Sequence, residues 1–515
     1  MGCSALNSIH IPDTIISIGK EAFYACSDLI SLHIPDSVTS IGDDAFHGCK
    51  SISSVHIPDS VTKIGKGTFS GCSALTSIRI PDSVTSLGNG AFSGCSALTS
   101  INIPDSVTNI GNEVFSGCKA LTSIRIPDSV TSIGNGAFSG CSALTSINIP
   151  DSVTKIGDEA FRGCKAITSV HIPDSVTSIG HNAFSGTGWF EVQPNGILYL
   201  DNCLIDYKGN KPTGEITINN GTRIIAKSAF FNCSDLTSIH IPDSVTIIGE
   251  EAFSCCSRLI SINVENGNSN YTSDNGVLYD KNRTTIICYP AEINDSSFVI
   301  PRSVINIDNY AFYRCSNLIS IQVSDIVKRI GDSAFEGCSA LTSIHIPDSV
   351  TSIGDRAFMS CEKIKSITIP KSVKKIGECV FCACGSINSF NVDKQNDIYD
   401  SRNDCNAIIE TKSNTLIAGC AASNIPNITY ISKPAFCGRN QLESISIPEG
   451  VIEIGDCSFK WCENLKVIKI PSTVTRIGYE TFYYCSALTS IIIPTGTRKK
   501  FEKLLPKYKK ILVEQ

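Results

Sequence analysis

The chain repeats itself every 23 residues, and that period limits its possible folds more than any other feature of the sequence. Cys3, Cys26, Cys49, Cys72, Cys95, Cys118, Cys141 and Cys164 mark it without a slip. The same grid returns at Cys233 and Cys256, from Cys315 to Cys384, and at Cys462 and Cys485, with Thr187 and Arg439 standing where Cys is lost. A unit this short cannot bury its own apolar side, whereas stacked copies cover one another, so the expected architecture is a solenoid with nearest-neighbour cooperativity. At 515 residues, with 42% hydrophobic and 18% charged residues, the chain has the composition to fill such a core.

Each unit reads C-S-A-L-T-S-I-x-I-P-D-S-V-T-x-I-G-x-x-A-F-x-G. Leu75, Ile78 and Ile80 carry the L-x-x-L-x-L spacing of leucine-rich repeats, which puts Ile78 and Ile80 on the core side of a short strand. Pro81 cannot donate to a ladder and ends the strand, and Asp82 and Ser83 supply turn-forming side chains. Val84 and Leu87 predict a second, weaker strand, and Gly88 a permissive backbone for the next turn toward Ala91 and Phe92. Most of the 22 phenylalanines, from Phe23 to Phe482, fall at the last of these positions, which predicts a buried aromatic column.

The fold class expected is therefore a curved leucine-rich-repeat solenoid over residues 1–495. A parallel β-sheet forms one face, and second short strands with turns or short helical turns form the other. Three β-hairpin insertions are expected at about 188–214, 265–297 and 393–426, because Ile197-Leu198-Tyr199 after Asn195-Gly196 parallels Val277-Leu278-Tyr279 after Asn275-Gly276, and Ile408-Ile409 precede the turn residues Lys412-Ser413-Asn414. Residues 496–515 are expected to form a C-terminal cap, a short helix and an extended end. The cap's basic residues would supply the polar outer surface that a terminal repeat needs.

The pattern I-x-I-P, V-x-x-I-G and A-F-x-x-C resembles the BspA-like leucine-rich-repeat surface antigens over nearly all of residues 1–495. That resemblance implies a cell-surface or secreted protein that binds host matrix proteins or other cells. Its partners would be proteins or glycans at a cell or matrix surface. The alternative is an intracellular protein–protein scaffold, favoured by the lack of a visible export signal and by the many cysteines. The chain opens inside a repeat at Cys3 with no capping segment before it, so a longer natural chain is expected.

Net charge of −6 gives no broad electropositive face for nucleic acid. No run of about 18 apolar residues occurs, so no membrane-spanning helix is expected.

The candidate binding face is the outward side of the first strand. Ser fills one outward column, while the next holds His10, His33, His56, Arg79, Asn102, Arg125, Asn148 and His171, and later His240 and His345. Among near-identical units, this position changes its polar type. A hydroxyl-rich face with one stripe of His, Arg and Asn suits hydrogen bonding to protein or glycan.

Ser8, His10 and Asp13, with the matching trios at Ser31, His33, Asp36 and at Ser343, His345, Asp348, contain the residue types of a hydrolytic triad. Alternate strand residues lie about 6.6 Å apart, too far for a direct nucleophile-to-base bond. Neighbouring units also replace His while keeping Ser and Asp. No catalytic residue, cofactor or metal is expected. Cys379, Cys382 and Cys384 form the closest thiol cluster but lack a fourth ligand for zinc.

The 25 cysteines are mostly one per rung, which predicts stacked buried thiols, with Cys405 and Cys420 one candidate pair across the third hairpin.

Overall fold

The computed structural model describes residues 3–515, which wind into a parallel β-solenoid of about 22 turns. Two compact units are distinguished. The first runs to Pro212 and includes Asn219–Phe231 and Ser244–Phe253; the second comprises Thr213–Ile218, Asn232–Asp243 and Ser254–Gln515.

In the first unit the strand Ser77–Arg79 alternates exposed, buried, exposed. It pairs in parallel with Ser54–His56 and Ser100–Asn102, each residue facing its equivalent one repeat away. Pro81 closes the following turn, its carbonyl accepting from Val84 N–H at 3.0 Å. Ser83 does more than favour that turn, because its hydroxyl donates to the Val61 carbonyl of the preceding rung at 2.6 Å. Ser60, Ser106 and Ser129 repeat the tie. The second strands, such as Lys63–Ile64 and Ser86–Leu87, form their own parallel ladder in the same register.

Gly88 corrects one expectation. Its backbone is not left-handed; a Cβ there would meet the Gly65 carbonyl carbon and Lys66 nitrogen at 2.4 Å. Glycine is needed because the neighbouring rung passes too close for a side chain. The residue after this glycine, unassigned in the sequence reading, joins rungs as well. Asn89 Oδ1 accepts Asn112 N–H, Asn112 Oδ1 accepts Asn135 N–H, and Asn135 Oδ1 accepts Asp158 N–H, each at 2.9 Å.

The phenylalanines stack as expected. From Phe23 to Phe184 consecutive rings lie between 5.3 and 5.8 Å apart. In the second unit the same column runs from Phe312 to Phe381 and from Phe436 to Phe482. Each column cysteine donates its S–H to the carbonyl of the Phe one rung back: Cys72 to Phe46 at 3.3 Å, Cys118 to Phe92 at 3.3 Å, Cys338 to Phe312 at 3.1 Å. Burial first of all pushes the Cys118 and Cys164 thiols up to about 12, which leaves them inert.

Where Cys is lost, another donor serves a Phe carbonyl. Thr187 donates to Phe184 in its own rung at 2.8 Å and caps the short helix Gly188–Val192. The buried Arg439 donates to Phe381 at 2.9 Å, and to the Cys384 and Gly419 carbonyls.

All three hairpins are present, and each joins the ladder of second strands rather than merely projecting from it. Gly196–Leu200 pairs antiparallel with Cys203–Lys208, whose first residues then pair in parallel with Ile224–Ile225. Val277–Asp280 with Thr285–Cys288, and Ala407–Glu410 with Thr415–Gly419, repeat this arrangement.

At the carboxyl end, helix Arg498–Leu504 buries Phe501, and strand Leu512–Glu514 pairs with Ser490–Ile493. Tyr508 lies edge-on to Phe482 and donates to its carbonyl at 3.2 Å, taking the role of a column cysteine at the last position of the repeat grid.

Candidate binding face

The first strands place one side chain in the core and the next in solvent, so the candidate stripe follows from strand alternation. Val55, Ile78 and Ile101 are buried, while His56, Arg79 and Asn102 between them and the next core residue are exposed. The ladder sets His33 opposite His56, His56 opposite Arg79, Arg79 opposite Asn102, and Asn102 opposite Arg125. Neighbouring strands are about 4.8 Å apart, which makes this a row of closely spaced polar groups. His10, Asn148, His171 and His345 are also exposed, and His240 is half-buried.

Several stripe members have acidic partners that the sequence reading did not assign. Arg79 meets Asp59 at 3.2 Å and Arg125 meets Asp105 at 2.7 Å, in each case the turn aspartate of the preceding rung. The Asp105 hydrogen bond raises the Arg125 pKa, so the guanidinium stays charged. Both pairs are well solvated, and such pairs contribute little to stability while fixing where the guanidinium points. His171 Nδ1 lies 3.0 Å from Asp201 at the tip of the first hairpin, and Asp201 also accepts Ile172 N–H at 2.7 Å. The first insertion thus borders the stripe. In the second unit His240 Nε2 meets Glu215 at 2.7 Å.

Gln322, Thr368, Asn391, Ser446 and Lys469 occupy the stripe position in the second unit and are exposed, yet the sequence reading named only His240 and His345 there. Their signal was positional, the residue two after the strand serine, and the changes in residue type concealed it. The Ser column is less uniform than expected at one point, where Ser238 and Ser261 hydrogen-bond to each other at 3.0 Å. A pocket of about 350 Å³ opens on the second unit's face, where Ser444, Ser446 and Lys469 meet Ser423, Asn424 and Ile425 beyond the third hairpin.

Among the described residues, no group of three or more His, Cys, Asp or Glu has an arrangement that would hold a metal ion, and no helix is long and apolar enough to cross a membrane. The candidate pair Cys405 and Cys420 is not joined. Both are buried thiols, donating to the Ala407 carbonyl at 3.8 Å and the Asn406 carbonyl at 3.5 Å.

Parallel rungs in one register, an L-x-x-L-x-L core and a solvated strand face define a leucine-rich-repeat protein, a repeat fold of protein interaction. The family model described as BspA type leucine rich repeat region matches residues 1–122, 73–191, 207–297, 287–405 and 419–507, and the chain belongs to that family.

A leucine-rich repeat protein from Bacteroides ovatus is 32% identical over 74% of this chain and 83% of its own, with a TM-score of 0.36. A leucine rich cell surface protein from Faecalibacterium prausnitzii is 28% identical, covering 92% of this chain and 89% of its own, with a TM-score of 0.25. The pneumococcal vaccine antigen PcpA is 19% identical, covering 90% and 89%, with a TM-score of 0.33. No curated protein matches the chain.

Proposed function

We propose that this chain is an adhesin-type binding protein, displayed at a cell surface or secreted, that contacts proteins or glycans of a host matrix or of other cells. The observation that carries the reading is the stripe itself. Between buried Val55 and Ile57, Ile78 and Ile80, and Ile101 and Ile103, the exposed residue changes from His to Arg to Asn. The core positions on either side stay aliphatic. The face therefore presents varied donors and acceptors on a backbone held rigid by inter-rung bonds, which suits recognition by hydrogen bonding. Family membership favours the surface placement.

A second reading, an intracellular scaffold, is favoured by one observation: the column cysteines are all thiols, the form kept in a reducing compartment. Surface biotinylation of the native cells, followed by a pull-down with the recombinant chain, separates the two. The adhesin reading expects surface labelling and capture of matrix or surface partners; cytosolic partners alone, with no surface labelling, would overturn it.

A further inference from the structure

The third hairpin brings together cysteines that are far apart in sequence. Because the inserted residues leave the Phe column, the rung holding Val380-Phe381 stacks directly on the one holding Ala435-Phe436, and Ala383 N–H donates to the Cys437 carbonyl at 3.1 Å. Cys382 and Cys437 follow the column Phe in these adjacent rungs. The Cys382 thiol hydrogen-bonds to Cys437 on one side and to Cys379 on the other. None of the three belongs to the inert column, whose member here is Cys384, bonded to Phe358.

The environment differentiates the three sulfurs. The hydrogen bond from Cys382, aided by the charge of Arg356 and opposed by burial, holds the Cys379 thiol at about 7. The same donor, with Arg439 and Lys460, lowers Cys437, while Cys382 as the donor is pushed far up. Cys379 is half-exposed, and Cys382 and Cys437 are buried behind it. A pocket of about 320 Å³ opens onto Cys379 and Cys382, bordered by Lys375, Lys433 and Pro434. An accessible nucleophilic thiol backed by a protonated thiol in contact with it is the arrangement thiol–disulfide exchange requires.

We propose that Cys379, Cys382 and Cys437 form a thiol–disulfide exchange site that accepts a small-molecule or peptide disulfide in this pocket. The Cys379 thiolate attacks one sulfur of R–S–S–R′, forming a Cys379–S–S–R bond and releasing R′–S⁻, which takes up the proton that Cys379 lost to solvent. Cys382 then passes its proton to the Cys437 sulfur and attacks Cys379, forming the Cys379–Cys382 disulfide and expelling R–S⁻. That thiolate recovers the proton from Cys437. The substrate disulfide is reduced by two electrons, and the two protein thiols are oxidised by the same two.

The chain carries its own control. Cys457 occupies the repeat position of Cys379, is also half-exposed and left-handed, with φ of 54° against 57°, but has its thiol raised, chiefly by burial. The test is iodoacetamide labelling of the native full-length chain across pH 5–9, with each cysteine peptide quantified by mass spectrometry, followed by incubation with glutathione disulfide. Cys379 should label roughly tenfold faster than Cys457 at pH 7, as its larger thiolate fraction requires. Glutathione disulfide should yield the Cys379–Cys382 disulfide, and Cys382→Ser should accumulate the glutathione adduct on Cys379. Equal labelling of Cys379 and Cys457, or a Cys379–Cys382 peptide that stays reduced in folded protein, would overturn the proposal. Both of these readouts use the native chain, so a Cys382→Ser variant that failed to fold would not leave the question open.

Discussion

At Cys118 the sulfur both fills space and serves a carbonyl, since Phe92 O accepts this S–H as well as the Cys95 N–H of its own rung. The size and apolarity of cysteine were legible from its recurrence, but its hydrogen bond was not, because the acceptor belongs to the preceding rung and comes into reach only on stacking. Cys118→Ala removes the donor and leaves a small void, and is expected to lower stability by about 1–2 kcal/mol in urea unfolding. Cys118→Ser keeps a donor and should lose less; equal losses would mean that the bond contributes nothing. The buried thiols also set a pH limit. Their folded pKa values near 12 exceed those of an unfolded cysteine, so the stabilisation is complete below the unfolded value and is lost as pH rises through the folded one. Circular dichroism should therefore show the native signal weakening between about pH 9 and 12, and a flat signal across that range would refute the assignment.

At the scale of one rung, what matters is how closely the next rung approaches. Gly88→Ala would press a methyl group onto the backbone of residues 65 and 66, and the two rungs would have to part. The expected loss is about 1–3 kcal/mol, with amide exchange accelerated first in the strands Lys63–Ile64 and Ser86–Leu87; unchanged exchange there would contradict the close-approach account. The strands, the turn at Pro81 and the buried faces were readable because alternation and proline act locally. The need for glycine at this site was not, since it arises from a chain segment 23 residues away. The hairpins were legible from their turn residues, whereas their pairing with the second-strand ladder depended on a register that no single insertion encodes. Arg439 shows the same limit: in sequence it reads as a lost cysteine, and only the stacked Phe381 carbonyl reveals what it replaces.

For the molecule as a whole, the repeat makes function a property of a face rather than of a cleft. One period places every core residue, and that regularity made the fold and the position of the candidate stripe legible from sequence. Partners of the stripe were less so. Asp59 and Asp105 lie one rung from the arginines they hold, and Asp201 reaches His171 only because the first hairpin folds back beside its strand. The thiol trio around Cys382 was hidden for the same reason, one member lying beyond an insertion. The central claim is that the exposed stripe makes the contacts, and it is tested most directly by replacing His33, His56 and Arg79 together with Ala. Equilibrium binding of the native and substituted chains to immobilised extracellular matrix would be compared, with circular dichroism confirming the same fold. The account predicts binding by the native chain and roughly a tenfold or greater loss in the variant, the effect of about 1.4 kcal/mol of lost contacts; undiminished binding by the variant would contradict it.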